Sequence, residues 1–120
     1  MATALIVDDH AGVRDLYQLY FEDEGFTVST AADGTAAIRE CLRNSPNVML
    51  LDVQLPDISG LEVLRYIRVA CPDTAVIMNS GHMDQPTREE AMRLGAVACF
   101  EKPFRLEELR AVLGHLPRAQ

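Results

Sequence analysis

Five short apolar runs, each followed by an amphipathic stretch, constrain this chain more than any other feature. The runs are Thr3–Val7, Phe26–Thr30, Val48–Leu51, Ala75–Met78 and Val97–Phe100. Each is too short for a helix and long enough for a strand. Val48–Leu51 is apolar at both parities, which suits a central strand covered on two faces. Between the runs the period changes. Val13, Leu16, Tyr17, Tyr20 and Phe21 recur at the spacing of one helix face, and Gly25 ends that stripe. Asp33 caps a second helix carrying Ala37, Ile38, Cys41 and Leu42. Ser59 and Glu62 have capping-box spacing and open a third, with Leu61, Leu64 and Ile67 inward. Asp84 and Pro86 start a fourth, which Gly95 ends, and the last holds Leu106, Leu109 and Leu113 on one side. Strands alternating with helices of this length imply a parallel sheet covered on both faces, with right-handed crossovers. The predicted fold class is α/β, an open five-stranded parallel sheet in one domain spanning 1–120.

Composition then removes several function classes. No apolar run approaches the ~18 residues of a membrane span, and the start lacks the basic-then-apolar layout of a signal peptide. The three cysteines, Cys41, Cys71 and Cys99, are odd in number and lack C-x-x-C spacing, so neither a disulfide framework nor a zinc site is expected. A reducing cytoplasm is the expected home. A net charge of −7 argues against direct contact with nucleic acid, which requires a clustered basic face. Ten of the eleven basic residues are Arg, and the single Lys stands at position 102.

In sheets of this kind, ligands bind beyond the carboxyl ends of the strands, where the strand order reverses. Four of the five runs end in polar or ionisable groups: Asp8–Asp9, Asp52, Ser80 and Lys102. The second ends in Thr30-Ala31-Ala32, an asymmetry that fits the order 2-1-3-4-5. Three carboxylates converging within ~5 Å repel by roughly 3 kcal/mol per pair at an effective dielectric of ~20. Lys102 supplies one positive charge against them. The remaining excess suits a hard, oxygen-liganded ion such as Mg²⁺, and with no histidine or cysteine at these ends zinc and copper are disfavoured. A carboxylate beside Mg²⁺ and a lysine, with a hydroxyl nearby, can attack a phosphoryl group.

At this point the chain resembles the receiver domains of two-component response regulators, over essentially its whole length. The matching pieces are LIVDD (5–9), LLDVQLPDISGLE (50–62), VIMNSG (76–81), GA (95–96) and KPF (102–104). The 2-1-3-4-5 order is the family's own, so the resemblance and the strand-end argument are not independent. The resemblance implies a flavodoxin-like, single-domain chemotaxis-regulator-like switch that takes a phosphoryl group from a histidine kinase or phosphotransfer protein. It makes Asp52 the phosphoacceptor. It gives Mg²⁺ to Asp8, Asp9, Asp52 and the backbone carbonyl of Gln54, with Asp9 a direct ligand and Asp8 acting more through water. Ser80 and Lys102 would each hold a phosphoryl oxygen, Gln54 and His82 would flank the group and affect water access, and Lys102–Pro103 would be a cis peptide. Gly60 matches the loop glycine after the phosphoacceptor.

One position departs from the family. Three residues before the lysine, where the family usually has Tyr or Phe, stands Cys99, with Phe100 one residue late. Strand parity sends Phe100 to the opposite face, into the core. Movement of the Ser80–Asp84 loop then becomes the main route of signalling, with active and inactive states separated by less than ~1–2 kcal/mol. Cys41, Cys71 and Cys99 read as packed hydrophobes, and His10 as an exposed helix-entry residue.

Output, by the same resemblance, runs through helix 4, strand 5 and helix 5, with Arg88, Arg93, Glu101 and Arg105 as exposed charges reading a downstream protein. A phosphorylation-linked homodimer belongs to the same expectation. No output segment follows residue 116, so action through protein contacts is expected. A haloacid-dehalogenase-type phosphohydrolase is the enzymatic alternative, but its second acid corresponds to Gln54, which cannot serve as a general acid. A binding module without phosphorylation chemistry fits poorly with a full acid–Ser–Lys set. A flavodoxin-type cofactor carrier would set Asp8-Asp9-His10 against the phosphate of FMN.

Overall fold

A computed structural model describes residues 2–116. Strands β1 (Thr3–Val7), β2 (Thr27–Ala31), β3 (Val48–Asp52), β4 (Ala75–Ser80) and β5 (Ala98–Glu101) alternate with helices α1 (Ala11–Asp23), α2 (Gly34–Asn44), α3 (Gly60–Ala70), α4 (Gln85–Arg93) and α5 (Leu106–Leu113). All strand pairs are parallel, in the order β2-β1-β3-β4-β5. The chain steps outward from β1 to β2, then returns across β1 to β3. The loops leaving β1 and β3 therefore diverge, and the crevice between them is the topological switch point. The domain assigned to 1–120 includes Met1 and residues 117–120, which lie outside the described residues.

Pleating splits the core into two layers. Leu5, Val7, Met49, Leu51, Val76 and Met78 face α2, α3 and α4, whose Ala37, Cys41, Leu64, Ile67 and Ala91 are buried against them. Ala4, Ile6, Val48, Leu50 and Ile77 face the other way, toward Tyr17 and Phe21 of α1 and Leu109 of α5. β3 is buried at all five residues, as its double-parity apolar run required.

The strand ends differ in detail from the sequence reading. β4 continues through Asn79 and Ser80 because both still pair, Asn79 with Asp52 and Phe100, Ser80 with Glu101. β2 and β5 begin one residue later than expected. Two stripe positions are also corrected. Leu16 is 42% exposed and Leu42 54%, because each sits at the edge of its apolar arc rather than over the sheet. Ser59 does cap α3, but its hydroxyl accepts from the Leu61 amide at 3.2 Å, while Glu62 lies beside Arg65; the box does not form. The Lys102–Pro103 peptide is cis, as expected.

Candidate functional site

The polar strand ends converge on the carboxyl edge of the sheet. Asp8 follows β1, Asp52 and Ser80 are the last residues of β3 and β4, and Lys102 follows β5. The backbone locks these ends together: the Asp8 amide donates to Ala31 at 3.1 Å and the Lys102 amide to Ser80 at 2.7 Å. Lys102 then reaches back across the edge. Its ammonium donates to Asp8 Oδ2 at 2.6 Å and to Asp52 Oδ2 at 2.9 Å. The second oxygen of Asp8 accepts from the His10 amide at 2.9 Å, and that of Asp52 from the Gln54 amide at 3.1 Å. Both carboxylates are buried at the base of the crevice, with Lys102 only slightly more open.

One cation between two buried carboxylates divides them electrostatically. Burial raises the Asp52 carboxyl above its ordinary value, with the Asp8 charge adding to it and Lys102 and the Gln54 amide only partly offsetting. Burial would also raise Asp8, but bonds from Lys102 and the His10 amide outweigh it and hold that carboxyl below the usual range. Burial would lower Lys102, yet its two carboxylate partners raise it, so it stays charged. The crevice is thus under-neutralised, with Asp52 the less comfortable anion.

Asp8, Asp9 and His10 bring ligand atoms within 4.8 Å of one another, whereas Asp52 joins through the shared lysine. His10 stands exposed at the entry of α1, as read from sequence, with no capping bond from its side chain, but its Nδ1 also lies 3.1 Å from Asp9 and 3.4 Å from Asp8. The expectation of no histidine near these ends is therefore corrected. The register of a single turn brings it there. Arg14, unremarked in the sequence, donates to the Asp8 carbonyl at 2.7 Å.

Ser80 is buried, and its hydroxyl engages its own loop, donating to the His82 carbonyl at 3.0 Å and accepting from the His82 amide at 3.2 Å. His82 is exposed, 4.0 Å from Glu101. The Gln54 side chain is also exposed. Cys99 is buried in the layer that holds Met78, Met83, Ala91 and Ala96. Phe100 goes to the opposite layer, as parity predicted, and is half-buried against Phe104 with ring centroids 4.6 Å apart. Of the four charges expected on the output face, Arg93, Glu101 and Arg105 are exposed. Arg88 is not free: it is half-buried and donates to the Cys99 carbonyl at 3.1 Å, tying α4 to β5.

The loop from Asp52 to α3 is fixed at several points. Gly60 packs so closely that a Cβ there would meet the Asp52 carbonyl oxygen at 2.0 Å, and its amide donates to Val53 at 2.7 Å. Asp57, which the sequence reading passed over, accepts four hydrogen bonds, three of them from Gly34 and Thr35 of α2. A cavity of about 570 Å³ opens at the other end of the strands between Phe26, Val48, Ala75 and Leu113 and touches none of these groups.

The family profile of the response regulator receiver domain matches residues 4–114. The chain belongs to the response regulator receiver family. Receiver domains are phosphorylatable switches of two-component signalling and are in general Mg²⁺-dependent. Sporulation initiation phosphotransferase F of Bacillus subtilis is 35% identical over 114 residues, covering 94% of this chain and 92% of that protein. The probable transcriptional regulatory protein TcrX of Mycobacterium tuberculosis is 36% identical, but this receiver spans only 49% of its length. Among solved structures, a CheY-like receiver domain protein of Methanospirillum hungatei superposes with a TM-score of 0.89 at 27% identity, covering 95% of this chain and 91% of that one. A chain of the CheX–CheY–BeF₃–Mg²⁺ complex from Borrelia burgdorferi gives 0.88 at 25% identity, over 93% of this chain and 86% of the other. No helix among the described residues is long and apolar enough to cross a membrane.

Proposed function

We propose that this receiver accepts a phosphoryl group on Asp52, from a histidine kinase or histidine phosphotransfer protein, and thereby changes its contacts with a downstream protein. The observation that carries the reading is the single ammonium of Lys102 bridging Asp8 and Asp52 at the switch point of the sheet. That arrangement leaves a strand-end carboxylate facing the crevice, short of positive charge, with an anchored lysine beside it.

The residues fit a hard divalent cation. Asp8, Asp9, Asp52 and the Gln54 carbonyl are oxygen donors, and one lysine does not neutralise three carboxylates. Mg²⁺ bound there would screen charge between the carboxylate and an incoming phosphoryl group. The chain's own residues do the rest. Asp52 attacks phosphorus, the bond from phosphorus to the donor breaks, and the donor leaves with the electron pair. Lys102, held in its charged form, pairs with one phosphoryl oxygen. Ser80 gives up the His82 carbonyl to bond another, drawing the β4–α4 loop with it. Gln54 and His82, both exposed at the rim, modulate access of water to the product.

The domain acts as a phosphoacceptor rather than a turnover enzyme, since Gln54 offers no general acid. Its output face is α4, β5 and α5, with Arg93, Glu101 and Arg105 as the charges a partner or a second copy reads, in the cytoplasm. The test is incubation with acetyl phosphate and Mg²⁺ followed by intact mass. One alkali-labile phosphoryl group is expected, absent from Asp52→Asn. Persistence of the label in that variant overturns the assignment.

A further inference from the structure

We infer that Asp57 is a positioning residue for the metal-binding loop, acting by tying that loop to the first turn of α2. The inference rests on the proposed role of the Gln54 carbonyl as a metal ligand.

A helix leaves its first amide groups without internal partners. In α2 those donors are shared between two carboxylates from different parts of the chain. Asp33, on the helix's own side, takes the Ala36 amide at 2.8 Å. Asp57, from the β3–α3 loop, takes the Gly34 amide at 2.8 Å and the Thr35 amide at 2.9 Å, with the Thr35 hydroxyl at 2.7 Å. The Ile58 amide, 2.8 Å from Oδ1, closes the loop on itself. The same contact is packed as well as bonded, because a Cβ on Gly34 would fall 2.4 Å from Ile58.

Only Leu55 and Pro56 separate Gln54 from Asp57. Proline fixes one of the few torsions available, and Leu55 is partly buried against the core. At the other end, Gln54 is held by the bond from its amide to Asp52, and Gly60 clamps the exit of the loop. Asp57 is thus the anchor nearest Gln54 on the side away from Asp52. Without it, the chain beyond Gln54 has no hydrogen bond to another element until Gly60 and is held there by the packing of Leu55 alone. Metal affinity depends on such supporting contacts, which fix ligands in place before the ion arrives.

Two capping carboxylates on one helix supply the control. Asp57→Ala and Asp33→Ala each strip donors of their partner at the start of α2, but only Asp57 belongs to the metal-binding loop. Mg²⁺ titration by calorimetry is expected to show Asp57→Ala weakened by about three- to tenfold, below the ~10–100-fold of a group touching a ligand directly. Asp33→Ala stays within about twofold of wild type, and Asp57→Asn, which keeps one carbonyl acceptor, lies between. Hydrogen exchange in metal-free protein supplies a second readout: the Gly34 and Thr35 amides lose protection in Asp57→Ala. Equal weakening in the two alanine variants would reduce Asp57 to a helix cap and overturn the inference, as would unchanged affinity in Asp57→Ala. Failure of wild type to bind Mg²⁺ through Asp9 and Asp52 would overturn the metal site itself, and the positioning role with it.

Discussion

Lys102 and Asp52, fifty residues apart in the chain, meet through a 2.9 Å hydrogen bond at the edge of the sheet. The same ammonium is 2.6 Å from Asp8, so one side chain favours the ionised form of both carboxylates against the burial that opposes it. It is also the one lysine in a chain otherwise furnished with arginine. A compact ammonium on a flexible stem can serve two carboxylates and a phosphoryl oxygen in turn, which a planar fork does less well.

Lys102→Met should therefore move stability and metal binding in opposite directions. Removing one partner of a buried pair costs ~3–5 kcal/mol, and because this crevice opens to solvent a loss of about 2 kcal/mol is expected. Removing a positive charge beside a cation site is worth on the order of 1–2 kcal/mol even in water-like surroundings, so Mg²⁺ should bind roughly tenfold tighter. Thermal denaturation with and without Mg²⁺ measures both. Weaker Mg²⁺ binding in the variant would contradict the electrostatic account.

Two glycines should respond differently to the same added methyl group. In Gly60→Ala the Cβ meets backbone, the Asp52 carbonyl oxygen at 2.0 Å and Val53 Cα at 2.8 Å, so the end of β3 that carries Asp52 must itself shift. In Gly34→Ala it meets side chains, Ile58 and Val63, of which Ile58 is exposed and can turn outward. Overpacking of this kind costs ~1–3 kcal/mol; Gly60→Ala should lie at or above the top of that range and Gly34→Ala near the bottom. Phosphorylation by acetyl phosphate should fail only in Gly60→Ala. Equal behaviour of the two variants would show that the close approach at Gly60 is not what holds Asp52.

Acid should act on Asp52 and Asp57 with opposite signs. Asp57 is held below the ordinary carboxylate value of 3.8, first by the Gly34 amide and then by Thr35, so its contribution is complete above that value and fades as pH falls toward the folded one. Asp52 is raised above 3.8 by burial, so its ionised form costs stability at neutral pH, and that cost is relieved as pH falls through its folded value. Melting temperature against pH should accordingly fall less steeply on the acid side in Asp57→Asn than in wild type. In Asp52→Asn the midpoint at pH 7 should rise, and by more than at pH 4. A flat difference between variant and wild type across that span would refute the assigned shifts.

The alternation of strands and helices and the cluster of strand ends were legible in the sequence because both rest on periodicity, whereas the strand order came with the family resemblance. Apolar runs of four or five residues fix the strands, and the residue that ends each run fixes what stands at the sheet edge. Helix faces were less legible at their margins: Leu16 and Leu42 satisfy the spacing rule but lie at the border of the arc, where the neighbouring helix decides burial. The His10 and Arg14 contacts turn on how one turn of chain packs over Asp8, which spacing does not encode. Asp57 was hidden for another reason. Its partners are amides of α2 twenty-two and twenty-three residues away, and an exposed aspartate in a Pro-containing loop looks like any turn residue.

The departure at Cys99 now has a structural counterpart. Cys99 is buried in the same layer as Met83, Ala91 and Ala96, so the expectation is that Met83, from the Ser80–Asp84 loop, shares the volume beside Cys99. Arg88 closes the other side through the Cys99 carbonyl. Cys99→Tyr should therefore not slip into vacant space: it should cost ~1–3 kcal/mol by overpacking. Met83→Ala alone should also destabilise, by leaving a cavity. The double variant should recover at least ~1 kcal/mol of the summed loss, the non-additivity expected of side chains that share one volume. The same packing ties Met83 to any displacement of Ser80. Beryllofluoride, which mimics the phosphoryl group, should shift α4 and β5 amides in wild type and shift them less in Met83→Ala, as read by NMR. Additive stabilities in the double-mutant cycle, with equal amide shifts in wild type and Met83→Ala, would show that Met83 and Cys99 occupy separate spaces and that the loop signals without this contact.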